Sequence, residues 1–196
     1  MEAKEANSTA LVPGSLSAVA KREGQSLAET FLGVDAVMLV DVSASMEQRD
    51  SRDGMSRYQV ALAELGKIQR SMPGRLGIVA FSTHPIFCPG GAPPMLAGYT
   101  DLAKALNFVK VADVAGMRFI VISDGEPASR SPDPADSALK AARCFKGKID
   151  CVYVGPPGGA GEQFLRQLAA NSGGAFARDY QVKELAGIVT LLLENK

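Results

Sequence analysis

Asp41, Ser43 and Ser45 occupy alternate positions in "DVSAS", directly after the apolar run Val37-Met38-Leu39-Val40. A carboxylate and two hydroxyls so spaced share one side of an extended chain, and the turn that follows can fold them around one centre. Two more oxygen groups stand where the chain changes direction. Thr100 precedes a helical pattern, and Asp124 follows the apolar run at 118–123. All five side chains offer oxygen, and none offers nitrogen or sulfur. That donor set suits a hard divalent cation, Mg2+ first, with Mn2+ or Ca2+ as alternatives. The competing reading is a polar turn without metal, since hydroxyls and carboxylates also serve turns and caps.

Other chemistries find less support. His84 is the sole histidine, and no Gly-x-Ser-x-Gly elbow accompanies it. His84, Cys88, Cys144 and Cys151 form a conceivable zinc set. Cys151 falls in a strand pattern and Cys144 in a helical one, so small buried thiols are the expectation. "GPPGG" at 155–159 lacks the Lys-Ser/Thr ending of a phosphate loop and reads as a flexible connection. A bound Mg2+ could activate water for phosphoester chemistry. Position 43, however, carries a hydroxyl rather than a second carboxylate able to act as general acid. These residues lend an enzyme little support, and a metal-dependent phosphoesterase stands as the alternative to a binding protein.

These groups need elements to position them. Short apolar runs at 36–42, 75–82, 118–123 and 149–155 read as strands buried on both faces. Helical periods separate them, at 56–72, 101–110, 133–145 and 162–174. A last short strand is expected at 175–180 and a last helix at 182–194, whose stripe of Leu185, Ile188, Val189 and Leu192 reads as core. The prolines of 85–94 restrict that stretch to a short edge strand. Such alternation predicts an α/β fold: a Rossmann-like three-layer α/β/α sandwich, mainly parallel, with a short antiparallel edge strand. In such sheets ligands bind beyond the carboxyl ends of strands, near a switch in strand order.

Composition bounds the rest. A chain of 196 residues can bury one sizeable core. Its 21 basic residues balance 21 acidic ones, which removes the electrostatic footprint of a nucleic-acid binder. Three cysteines do not form a disulfide framework and suggest a reducing compartment. No apolar run approaches the about 20 residues that span a membrane, and the N-terminus is a poor signal peptide. A soluble, cytoplasmic protein is expected. Residues 1–33 read as an N-terminal extension, polar and mobile at first, with short helices over 15–32. Ser26 and Glu29 there have capping-box spacing. Residues 34–196 read as the domain proper.

The strand and helix order, "DVSAS", Thr100 and the "SDG" at 123–125 together resemble the von Willebrand factor type A family over roughly residues 34–194. The resemblance implies a metal-ion-dependent adhesion site on a Rossmann-like fold. It implies Ser43 and Ser45 as direct ligands, Thr100 as direct or water-mediated, and Asp41 and Asp124 acting largely through bound water. Ala44 departs from the family's frequent glycine, and Tyr99 beside Thr100 could shape the rim. The implied function is a Mg2+-dependent protein-interaction module in which a partner's Asp or Glu completes the coordination. Met46, Glu47, Tyr99, Gly125 and Glu126 would form the rim, with the loops 47–56, 85–99 and 126–132 reading the partner's shape. Intracellular relatives often act as adaptors, some with an AAA+ ATPase, and in some the last helix shifts on ligand binding. No nucleic-acid or membrane partner is expected.

Overall fold

Hydrophobic alternation explains the layering. In β1 (Ala36–Asp41) every residue is buried, yet successive side chains face opposite ways. Met38 and Val40 enter one core and Val37 and Leu39 the other. A strand apolar on both faces must be covered on both, which makes it the centre of a three-layer fold. The computed structural model of the chain describes residues 11–178. The helix expected at 182–194 lies outside the described residues.

The sheet has six strands in the order β3-β2-β1-β4-β5-β6, formed by β1, β2 (Leu76–Phe81), β3 (Pro85–Phe87), β4 (Arg118–Ser123), β5 (Ile149–Tyr153) and β6 (Phe176–Arg178). All neighbours are parallel except β2 and β3. The antiparallel edge strand is the proline-bounded segment, as the sequence predicts. On one face α3 (Arg57–Ser71) packs Val60, Leu65 and Ile68 against Met38 and Val40. The other face is covered by α4 (Leu102–Val109), α5 (Pro134–Arg143) and α6 (Ala160–Asn171).

Local signals set the helix ends. Ser56 and Gln59 form a capping box that starts α3 at Arg57. Asp133 caps α5, with Pro134 at its first position. α6 begins at Ala160, ahead of the expected 162, because Gly159 already serves as its N-cap. In the N-terminal region α1 (Leu16–Glu23) ends at Gly24, and α2 (Leu27–Phe31) has the Ser26–Glu29 capping box. Leu16 and Val19 are buried, and the Val12 and Ser17 N–H groups donate to Gly90 and Pro89. Residues 12–19 therefore pack beside the segment after β3, and Phe31 meets Phe87 edge to face. Among the described residues no helix is long and apolar enough to cross a membrane.

Chain order fixes the switch point. The strands run from β1 outward through β2 to β3, then resume on the other side of β1 with β4, β5 and β6. The crevice beyond the carboxyl ends of β1 and β4 is thus the place where this topology leaves room for a ligand.

One polar cluster ties the far side of the sheet together. Arg118 donates to both oxygens of Asp150, at 2.7–3.0 Å, and the Ala175 N–H donates to Asp150 Oδ1 at 2.8 Å. Both side chains are buried, so removing one partner strands a charge. Asp150→Ala should lower the unfolding free energy by about 3–5 kcal/mol. Denaturant titration measures this, and a loss below about 1 kcal/mol would mean the pair behaves as a surface ion pair.

Candidate metal centre

β1 ends at Asp41 and β4 at Ser123, so Asp41 and Asp124 leave adjacent parallel strands at the same end. Both are about 1% exposed or less. Asp41 Oδ1 accepts the Ser43 backbone N–H at 2.9 Å. Its Oδ2 accepts the Ser123 hydroxyl at 2.6 Å, and Ser123 Oγ accepts the Gly125 N–H at 2.9 Å. One serine therefore links both strand ends. Burial, reinforced by the negative charge of Asp124, pushes the Asp41 carboxyl up to about 7, and its hydrogen bonds only partly oppose this.

After Asp41 the chain turns through a short 3-10 segment, Ala44–Glu47. That turn brings Ser43 Oγ and Ser45 Oγ to 3.2 Å from one another. The Ala44 N–H donates to the Gly98 carbonyl at 3.3 Å, which joins this turn to the loop carrying Thr100. Thr100 is buried, and its carbonyl accepts the Ala128 N–H at 3.0 Å. Ser45, Thr100 and Gly125 line one open groove of about 640 Å3. The three segments singled out from sequence thus converge.

Close backbone packing closes the site from below. Gly125 has φ 69°, a left-handed conformation that favours glycine. A Cβ on Gly161 would come within 2.0 Å of the Asp124 carbonyl oxygen. The first turn of α6 can lie against the Asp124–Gly125 backbone only because Gly161 has no side chain.

The rim differs in part from expectation. Tyr99 and Glu126 are exposed and line the groove, together with buried Gly125. Met46 does not belong to the rim. It is fully buried, because the 3-10 turn points it into the core beneath α3. Glu47 is exposed but faces a separate depression lined by Arg49, Ser56, Tyr58, Gln59 and Met95.

Sequence reading missed Ser123 and Arg57. Ser123 stands beside Asp124 in "SDG" and reads there only as a strand end. Arg57 reads as one polar residue of a helix. Its side chain is 3% exposed, and its Nη1 donates to Asp124 Oδ2 at 2.8 Å. The capping box at Ser56 was the available signal, since it puts Arg57 at the helix start facing the loops.

The donors suit a divalent cation. Two hydroxyls lie together beside two buried carboxylates, and the buried proton affinity of Asp41 marks a place where added positive charge is favourable. Among the described residues no three His, Cys, Asp or Glu side chains gather into a metal-holding group, so the hydroxyls are essential to any such site. Cys88 and Cys151 are buried, as small thiols should be, whereas Cys144 is exposed.

No protein-family model matches the chain, and no curated protein matches it. Solved structures do match. The crystal structure of manganese-loaded TRAP protein from Plasmodium vivax aligns with a TM-score of 0.57 at 16% identity, over 82% of this chain and 73% of that one. Proximal thread matrix protein 1 from the mussel byssus aligns with a TM-score of 0.51 at 18% identity, over 83% of this chain. This chain spans only 46% of that protein's length. At these identities the likeness concerns fold alone. The fold is a Rossmann-like α/β arrangement, mostly parallel with one antiparallel edge strand.

The raised Asp41 carboxyl has a sign that can be measured. Between about pH 4 and pH 7 the folded protein keeps a proton on Asp41 that the unfolded chain has released. In chelator, this group should therefore make stability fall as pH rises through that window. Comparing denaturant unfolding of the wild type and Asp41→Asn across pH isolates the contribution. Identical pH slopes in the two proteins would contradict it.

Proposed function

We propose that this chain is a divalent-cation-dependent protein-interaction module of the cytoplasm. Asp41, Ser43, Ser45, Thr100 and Asp124 hold Mg2+, with Mn2+ or Ca2+ as substitutes. A partner protein supplies an Asp or Glu to the ion. The observation that carries this reading is the meeting of the Ser43 and Ser45 hydroxyls, 3.2 Å apart, with two buried carboxylates at the switch point of the sheet. The manganese-loaded neighbour supports the choice of a divalent ion for this fold. An adaptor role, including assembly with an AAA+ ATPase, extends the same reading.

The division of labour follows from the ligand types. Neutral hydroxyls would hold the ion directly while leaving its charge largely uncancelled. Asp41 and Asp124 would orient bound water, with Ser123 and the Ser43 N–H fixing Asp41. When bound, the ion supplies an electrophilic position for a carboxylate. The groove beside it has apolar walls from Pro127, Ala128, Ala135 and Phe164, which suit an apolar residue next to the partner's acid.

Isothermal titration with Mg2+ should give saturable binding that Asp41→Ala and Thr100→Ala abolish with the fold retained. Ser123→Ala should weaken it about 10–100-fold, as loss of a residue that orients a ligand does. Partners recovered by affinity capture in Mg2+ should be lost in EDTA. Equal recovery in EDTA, or Mg2+ binding that survives Asp41→Ala, would overturn the proposal.

A further inference from the structure

Arg57 is a buried cation beside the five ligand residues and is not one of them. That residue begins α3, and its guanidinium is engaged on all sides. Nη1 donates to Asp124 at 2.8 Å. Nε and Nη2 hold Asp50 in a fork, at 2.8 and 2.6 Å, and Nη2 also donates to Gln48 Oε1 at 2.8 Å. Glu126 Oε1 lies 3.9 Å from Nη1. Four hydrogen bonds from one rigid guanidinium plane hold the group beside Asp124.

We propose that Arg57 is a built-in counter-cation that weakens the bare divalent ion's hold on this site and makes tight binding conditional on an acidic ligand. The inference rests on the cation-binding reading above and adds its regulation. With a cation bound, Asp41 and Asp124 would supply two negative charges, and Arg57 returns one positive charge to the same buried volume. A divalent ion added to that set leaves one positive charge in excess. Without the arginine the same count closes at zero. Asp50, which forks the same guanidinium and is 36% exposed, offsets only part of that excess, because solvent screens its charge. One carboxylate from a partner removes the excess. Metal and acid should therefore bind cooperatively, each raising the affinity of the other by the same factor.

A unit charge opposing a divalent ion a few ångströms away in a partly buried site changes affinity by about tenfold or more. The probe is Mn2+, titrated calorimetrically and counted by electron paramagnetic resonance, in chloride and with acetate added as a simple carboxylate. Arg57→Gln should bind Mn2+ in chloride at least about tenfold more tightly than wild type. Arg57→Lys, which keeps the charge, should resemble wild type. Acetate should improve Mn2+ affinity more in wild type and Arg57→Lys than in Arg57→Gln. Equal Mn2+ affinities in wild type and Arg57→Gln overturn the proposal, as does an acetate gain independent of residue 57. Because Arg57 is buried, Asp50→Asn provides a variant at a more exposed position. It leaves the arginine's charge less compensated, so Mn2+ should bind more weakly, and unchanged affinity counts against the proposal. If Mn2+ binds none of these proteins, the cation-binding reading falls and this one with it. Binding that Asp41→Ala abolishes but Arg57→Gln leaves unaltered removes only the role of Arg57.

Discussion

Asp41 and Asp124 terminate adjacent parallel strands, and both are removed from water. Placing two like charges in one desolvated corner is costly, and the surrounding structure is organised around relieving it. Ser123 and the Ser43 N–H attend to one carboxylate, while Arg57 and the Glu126 N–H attend to the other. Even so, Asp41 still holds its proton far above the ordinary carboxylate range. The relief is therefore incomplete for the protein alone. A buried acid pair kept in this condition is a place where positive charge is stabilising, and stability has been given up to keep it.

The scaffold makes that placement reproducible. Parallel pairing aligns Val40 with Ile122, so the residues that follow each of them emerge side by side. Hydrophobic burial on both faces locks this register, because a slip of one residue would exchange the two cores. Two helices then start near the same corner. α3 begins with Arg57, and α6 lays its first turn on the Asp124–Gly125 backbone through Gly161. Helix N-termini carry partial positive charge, which adds to the offset of the buried acids. The positions of β1 and β4 at the sheet's centre and the charge balance of the corner are thus consequences of one topology.

Much of this was legible in the sequence. The five oxygen groups could be chosen because each follows an apolar run or precedes a helical period, and those periodicities survive as β1, β4 and α4. The edge strand was readable from Pro85 and its neighbours, since proline cannot join a central ladder. What stayed hidden depends on distance in three dimensions. Arg57 and Asp124 are far apart in the chain, and the capping box at Ser56 marks a helix start without naming the partner that Arg57 meets. Met46 looked like rim because it adjoins "DVSAS", but a 3-10 turn redirects a side chain within one residue. Gly161 gives no signal until the close approach to Asp124 is seen. Packing and charge pairing across the fold are the information that periodicity does not carry.

The neutral hydroxyls and Arg57 act in the same direction. Ser43 and Ser45 contribute dipoles and no charge, so a cation held by them keeps most of its attraction for anions. Arg57 cancels one of the two nearby carboxylates and leaves still more of that attraction unmet. The groove in front of it is walled partly by Phe164, Ala135 and Pro127, groups that neither donate hydrogen bonds nor screen well. A site built to hold metal for its own stability would instead spend ionised carboxylates directly on the ion, as tight Ca2+ sites do. On the function proposed above, the unmet charge would face outward, to be completed by a second molecule.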